Sequence, residues 1–90
     1  MKNDFKVCQS KSIDCAVIDG EAVMMDLERG TYYTLNSVAA NIWNIIEDEI
    51  YISKIIEKLL EIYDVDFETC EKSLLKYLNY MDKYGLIVML

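Results

Sequence analysis

The sequence predicts a small α+β domain of winged helix-turn-helix type, with an N-terminal three-stranded antiparallel β-sheet followed by three α-helices. Three observations point there. The first third of the chain is rich in β-branched and aromatic residues interrupted by short turns. After Asn36, apolar residues recur at helical spacing in three stretches, each with a candidate capping residue before it. A short apolar tail, "LIVML", follows a glycine at the end of the third stretch.

Each element follows from its residues. "FKVC" alternates, and "CAVID" is a β-branched run ending in Asp19-Gly20, a strong turn signal. "AVMMDL" comes next, with Val23, Met25 and Leu27 sharing one face. "ERG" then turns the chain, and Gly30 suits the left-handed position of a short hairpin loop. Asp26 and Glu28 are expected at the surface beside this turn. "TYYTL" is the return strand, with Thr31, Tyr33 and Leu35 on one face and Tyr32 and Thr34 on the other. With Leu35 inside, Tyr33 packs inside as well and Tyr32 looks outward. Exposed strand edges are usually blunted against pairing, so large aromatics on a strand near the edge of a small sheet suggest a partner.

Asn36 is a good N-cap for the first helix, because its side chain accepts from an orphan N–H one turn on. Ala39, Ile42, Trp43 and Ile46 form the buried stripe of that helix. Ser53 is the expected cap of the second, where Ile55, Leu59 and Tyr63 recur with Ile56 and Leu60 alongside. Asp66 is the expected cap of the third, with Val65 and Cys70 at hydrophobic-staple positions. The third helix, about residues 67 to 84, has Cys70, Leu74, Leu78 and Met81 as its core stripe. Gly85 ends it, and Leu86 folds back toward Met81. Opposite the core stripe lie Lys72, Lys76, Tyr80 and Lys83, flanked by Ser73, Tyr77 and Tyr84.

Composition narrows the function. The 90 residues carry a net charge of −7 with 53% hydrophobic residues, ample for the core of one domain spanning 1–90. The third helix and tail, residues 67–90, hold three basic and three acidic side chains, so the acidic excess lies entirely before them. An acidic chain is a poor match for nucleic acid, which is bound by neutralising phosphates. No apolar run spans a bilayer, and the N-terminus lacks a signal-peptide stretch, so no membrane partner and a cytoplasmic location are expected. There is no histidine, no phosphate-cradling glycine pattern and no recognisable nucleophile motif, so neither an enzyme nor a cofactor is expected. Cys8, Cys15 and Cys70 are scattered and odd in number, which predicts reduced thiols and no metal site.

From about residue 16 to the end, the chain resembles the PqqD-like family of peptide-recognition domains. The resemblance rests on the hairpin "AVMMDLERGTYYTLNSVAANIW", on "YDVD" before the third helix, and on "LLKYLNYMDKYGLI". Gly30 and Gly85 match glycines of the family pattern, whereas the first dozen residues carry no diagnostic match. The resemblance implies a free-standing domain that binds the leader segment of a ribosomally made, post-translationally modified precursor, as in lasso-peptide and related pathways. It implies delivery of that precursor to modifying enzymes such as a leader peptidase, a cyclase or a radical enzyme. It also implies that the leader adds as a strand to the third β-strand, Thr31, Tyr32, Tyr33, Thr34 and Leu35, beside the third helix. There Lys72, Ser73, Lys76, Tyr77, Tyr80 and Lys83 form the facing wall, and the lysines give a local site for acidic leader residues.

Two readings from other classes stand beside this one. A winged-helix DNA-binding regulator would place the third helix in the major groove, but its wing would offer Glu28 and a single Arg29. An enzyme subunit or a structural assembly partner is the third reading, and a catalytic role would need a base or metal constellation from a chain without histidine.

Overall fold

The structure is a computed structural model that describes residues 4–19 and 21–90. Its elements run β1 (Lys6–Gln9), β2 (Ile13–Ile18), β3 (Glu21–Asp26), β4 (Thr31–Leu35), α1 (Ser37–Ile45), β5 (Ile50–Tyr51), α2 (Ile52–Ile62), α3 (Phe67–Lys83) and β6 (Ile87–Met89). The expected antiparallel sheet is β2-β3-β4, followed by the three expected helices. The strand "FKVC" does not join it. β1 instead sits in a second sheet, order β5-β1-β6, where Cys8 pairs with Val88 and Val7 with Ile50. The C-terminal tail is therefore a strand that returns to the start of the chain. Gly20, half of the predicted turn after β2, lies outside the described residues, while Asp19 adopts a positive φ of 52°.

The core lies where the helices meet both sheets, with Met24 and Leu35 buried from one and Val7 and Ile87 from the other. Ala39, Ile42 and Trp43 from α1 with Ile46 at its C-cap, Ile55, Ile56 and Leu59 from α2, and all four predicted stripe residues of α3 are buried. Register decides which face of β3 joins them. Ala22 pairs with Leu35 and Met24 with Tyr33, so Met24 is fully buried while Leu27 remains 67% exposed. The sequence alternation of Val23, Met25 and Leu27 thus marks the outer face, because pairing with β4 commits the even-numbered residues of β3 to the core.

Asp26 corrects the expectation of a surface residue, being only 5% exposed. Its Oδ1 accepts from the N–H groups of Glu28 and Arg29, both at 3.1 Å, and Arg29 Nε lies 3.8 Å from its Oδ2. The carboxylate holds the hairpin loop from inside, as a buried polar group must be paired. Gly30, at φ 68°, closes that loop by donating to the Asp26 carbonyl at 2.8 Å.

Two helix caps agree with expectation and one does not. Asn36 Oδ1 accepts from Ala39 N–H, and Asp66 Oδ1 accepts from Thr69 N–H, each at 2.8 Å. Ser53 does not cap α2, which begins one residue earlier, after Tyr51. Its N–H and Oγ instead donate to Asp4 Oδ1 and Oδ2 at 3.1 and 2.7 Å. Those bonds, led by the Ser53 hydroxyl, hold the Asp4 carboxyl below its ordinary range. At the other end of α3, Leu86 N–H donates to the Met81 carbonyl and Gly85 N–H to that of Asp82. This pair of bonds, with Gly85 at φ 69°, turns the chain and buries Leu86. Among the described residues no helix is long and apolar enough to cross a membrane.

Candidate functional site

β4 is an edge strand, and its hydrogen-bonding geometry follows from two bonds. Leu27 N–H donates to the Ser12 carbonyl on the β2 side, while Gly30 N–H donates to Asp26 on the β4 side. Backbone groups alternate along an antiparallel strand. Thr31, Tyr33 and Leu35 therefore face their partners Asp26, Met24 and Ala22 on β3. The N–H and C=O groups of Tyr32 and Thr34 point away from the sheet.

The opposite edge is managed differently. The same alternation turns Ile13, Cys15 and Val17 of β2 outward. There Ile13 N–H donates to the Ser10 carbonyl at 3.3 Å, and Cys15 N–H donates to Asp14 Oδ1 at 3.2 Å. An acidic side chain thus blunts β2 in the way edge strands usually are. β4 is left open.

A cleft of about 470 Å³ lies between that open edge and α3. Thr34 and Leu35 form one wall, and Ser73, Lys76, Tyr77 and Tyr80 form the other. Asn36 bridges the two walls at one end. While its Oδ1 caps α1, its Nδ2 donates to the Tyr77 hydroxyl at 3.1 Å, so one side chain fixes both the helix start and the aromatic wall. The cleft offers hydroxyls, an ammonium and exposed main-chain groups over an apolar floor that includes Ala39 and Met81. Those groups suit an extended peptide.

Not every predicted residue lines this space. Tyr32 is 72% exposed and stands on the outer face of β4, as expected. Tyr33 packs against the core, and its ring lies 5.4 Å from that of Tyr84, which lies 4.9 Å from Tyr80. The three tyrosines form a ladder from β4 to α3. Of the three α3 lysines, Lys76 borders the cleft; Lys83 lies with its ammonium 5.6 Å from the Tyr84 ring centre, and Lys72 is exposed further toward the start of α3. Thr31 is exposed at the hairpin end of the strand. Asn36, Ala39 and Met81 were not among the residues expected at the site. Asn36 was legible only as a cap, and the other two only as core.

Burial pushes the Cys70 thiol up, and burial together with the nearby Asp14 does the same for Cys15. Among the described residues no group of histidine, cysteine and carboxylate side chains is placed to hold a metal ion.

Comparison with known proteins bears on this geometry. A family model described as coenzyme PQQ synthesis protein D (PqqD) matches residues 21–87. Among solved structures, TbiB1 in complex with the TbiA(beta) leader peptide is 30% identical with a TM-score of 0.81, over 89% of this chain and 93% of that one. A lasso peptide synthetase B1 complexed with the leader peptide is 22% identical with a TM-score of 0.80, over 91% of this chain and 96% of that one, which is a likeness of fold. No curated protein matches the chain significantly.

Proposed function

This chain belongs to the PqqD family, and from that membership we propose that it binds the leader segment of a ribosomally synthesised precursor by strand addition to β4, beside α3. The observation that carries the proposal is the open edge of β4 facing the cleft, on a sheet whose other edge is blunted by Asp14. Strand addition takes affinity from main-chain hydrogen bonds and specificity from neighbouring side-chain pockets. Tyr32 and Thr34 supply the main-chain groups. Ser73, Lys76, Tyr77 and Tyr80 choose the partner, with Lys76 set to meet an acidic leader residue. Thr31, Tyr33 and Leu35 hold the strand in place, and Lys72 and Lys83 add positive charge at either end of the α3 face.

In this role the protein is a binding module in the cytoplasm, a single domain that hands the precursor to modifying enzymes such as a leader peptidase and a cyclase. That a homologous fold is solved with a leader peptide bound supports the choice of ligand. Titration with the leader half and, separately, with the core half of a cognate precursor tests it. The leader is expected to bind with a dissociation constant between nanomolar and low micromolar, typical of a strand with a few anchors. Binding to the core half alone would refute the reading.

A further inference from the structure

A second and larger cleft, of about 670 Å³, opens on the other side of Leu35 and Asn36. It lies between the β2–β3 hairpin and α1, and shares Thr34, Leu35 and Asn36 with the first. Asn36, fixed by its two hydrogen bonds, is the ridge between them. The two clefts differ in charge. Among the described residues, the α3 cleft is bordered by one cation, Lys76, and no carboxylate, and the α1 cleft by one carboxylate, Glu21, and no cation. The difference extends beyond the lining, because the sequence has no basic residue between Lys11 and Arg29 or between Arg29 and Lys54. Apart from Glu21, the polar groups of the second cleft are uncharged, with Asn41 and Asn44 on α1 facing Val17, which is 74% exposed, and Ala22 on the hairpin.

We propose that the second cleft holds the residues of the bound precursor immediately N-terminal to its added strand, and that it selects neutral or basic side chains there. The proposal rests on the strand-addition reading. An antiparallel ladder, the more stable pairing per residue, runs the peptide opposite to β4. Residues preceding its strand then emerge at Leu35 and Asn36, at the mouth of the second cleft. A carboxylate entering there meets Glu21 with no cation to offset it, whereas a lysine, an arginine or an amide finds a partner. The groove as a whole therefore reads charge in order along the peptide, neutral or basic first and acidic against Lys76 second.

A random linear peptide library displayed and selected on the intact protein tests this without knowledge of the natural precursor. Selected peptides are aligned on their shared motif, and the ratio of basic to acidic residues is read at each position. Wild type should enrich basic over acidic residues upstream of the motif by roughly two- to fivefold, the size of one solvent-exposed charge pair. Glu21→Lys should reverse that ratio upstream and leave the positions facing α3 unchanged. Asn44→Lys, on the opposite wall, should do the same, and Lys76→Glu should do the converse. An upstream ratio that ignores both Glu21→Lys and Asn44→Lys overturns the inference while leaving strand addition intact. Failure of the wild type to enrich any peptide over a Thr34→Pro control overturns the strand-addition reading and the inference with it.

Discussion

Replacing Thr34 by proline removes an N–H that the β3–β4 register does not use. Pairing places the backbone groups of Thr31, Tyr33 and Leu35 toward β3, so Thr34 donates only to whatever lies beyond the edge. Proline is tolerated at such a position, because the ladder inside the sheet keeps all its bonds. The fold should survive with a melting temperature close to wild type. Binding should not survive as well. One main-chain bond is lost and the peptide carbonyl that accepted it is left without a donor in a half-dry groove, a change of about 1–3 kcal/mol, or roughly 5- to 150-fold in Kd. Tyr33→Pro is the matched control. Its N–H faces Met24, so it should break the β3–β4 ladder and unfold the hairpin. Thermal melts followed by leader titration on both variants, with amide exchange at residues 31–35, give the readout. A folded Thr34→Pro protein that binds leader as tightly as wild type would refute strand addition at β4. An unfolded one would show that the alternation assigned to this strand is inverted.

Lys76→Glu should weaken leader binding by on the order of 1–2 kcal/mol, more at low salt than at high, with little change in stability because the side chain is exposed; calorimetric titration at two salt concentrations checks this. Asn36→Ala should cost about 1 kcal/mol of folding stability through the lost cap. It should also weaken leader binding by releasing the Tyr77 hydroxyl, whereas Asn36→Ser, which caps well but is too short to reach Tyr77, should restore the cap alone. Asp66 is held below its ordinary range by its bonds from Thr69. Its contribution is therefore complete above the unfolded carboxyl value and disappears as pH falls through the lower folded value. Asp66→Asn should flatten the acid limb of the stability profile measured by denaturant titration. Duplex DNA should give no discrete mobility shift below roughly 10 micromolar protein at low salt, where electrostatic association is strongest.

Local rules made much of this architecture legible before any coordinates. The helix stripes, the caps Asn36 and Asp66 and the closure at Gly85 each depend on residues within a turn or two of one another, and each is found where its own segment predicts it. Tyr32 outside and Tyr33 inside follow from strand alternation once Leu35 is in the core. What local residues leave open, or decide wrongly, shares a different property, because each case depends on residues distant in the chain. β1 pairs with β6, whose partner residues lie about eighty positions away, so nothing in "FKVC" announces which sheet it joins. Asp4 displaces Ser53 as the group that serves the start of α2 across 49 positions. For β3, alternation shows only that Val23, Met25 and Leu27 share a face, and the pairing of Met24 with Tyr33 decides that this face is the outer one. The site divides along the same line. Its lysine and tyrosines stand out along one helix face, whereas the cleft depends on contacts between distant segments, Asn36 with Tyr77 across 41 positions and the Tyr33 ring with that of Tyr84.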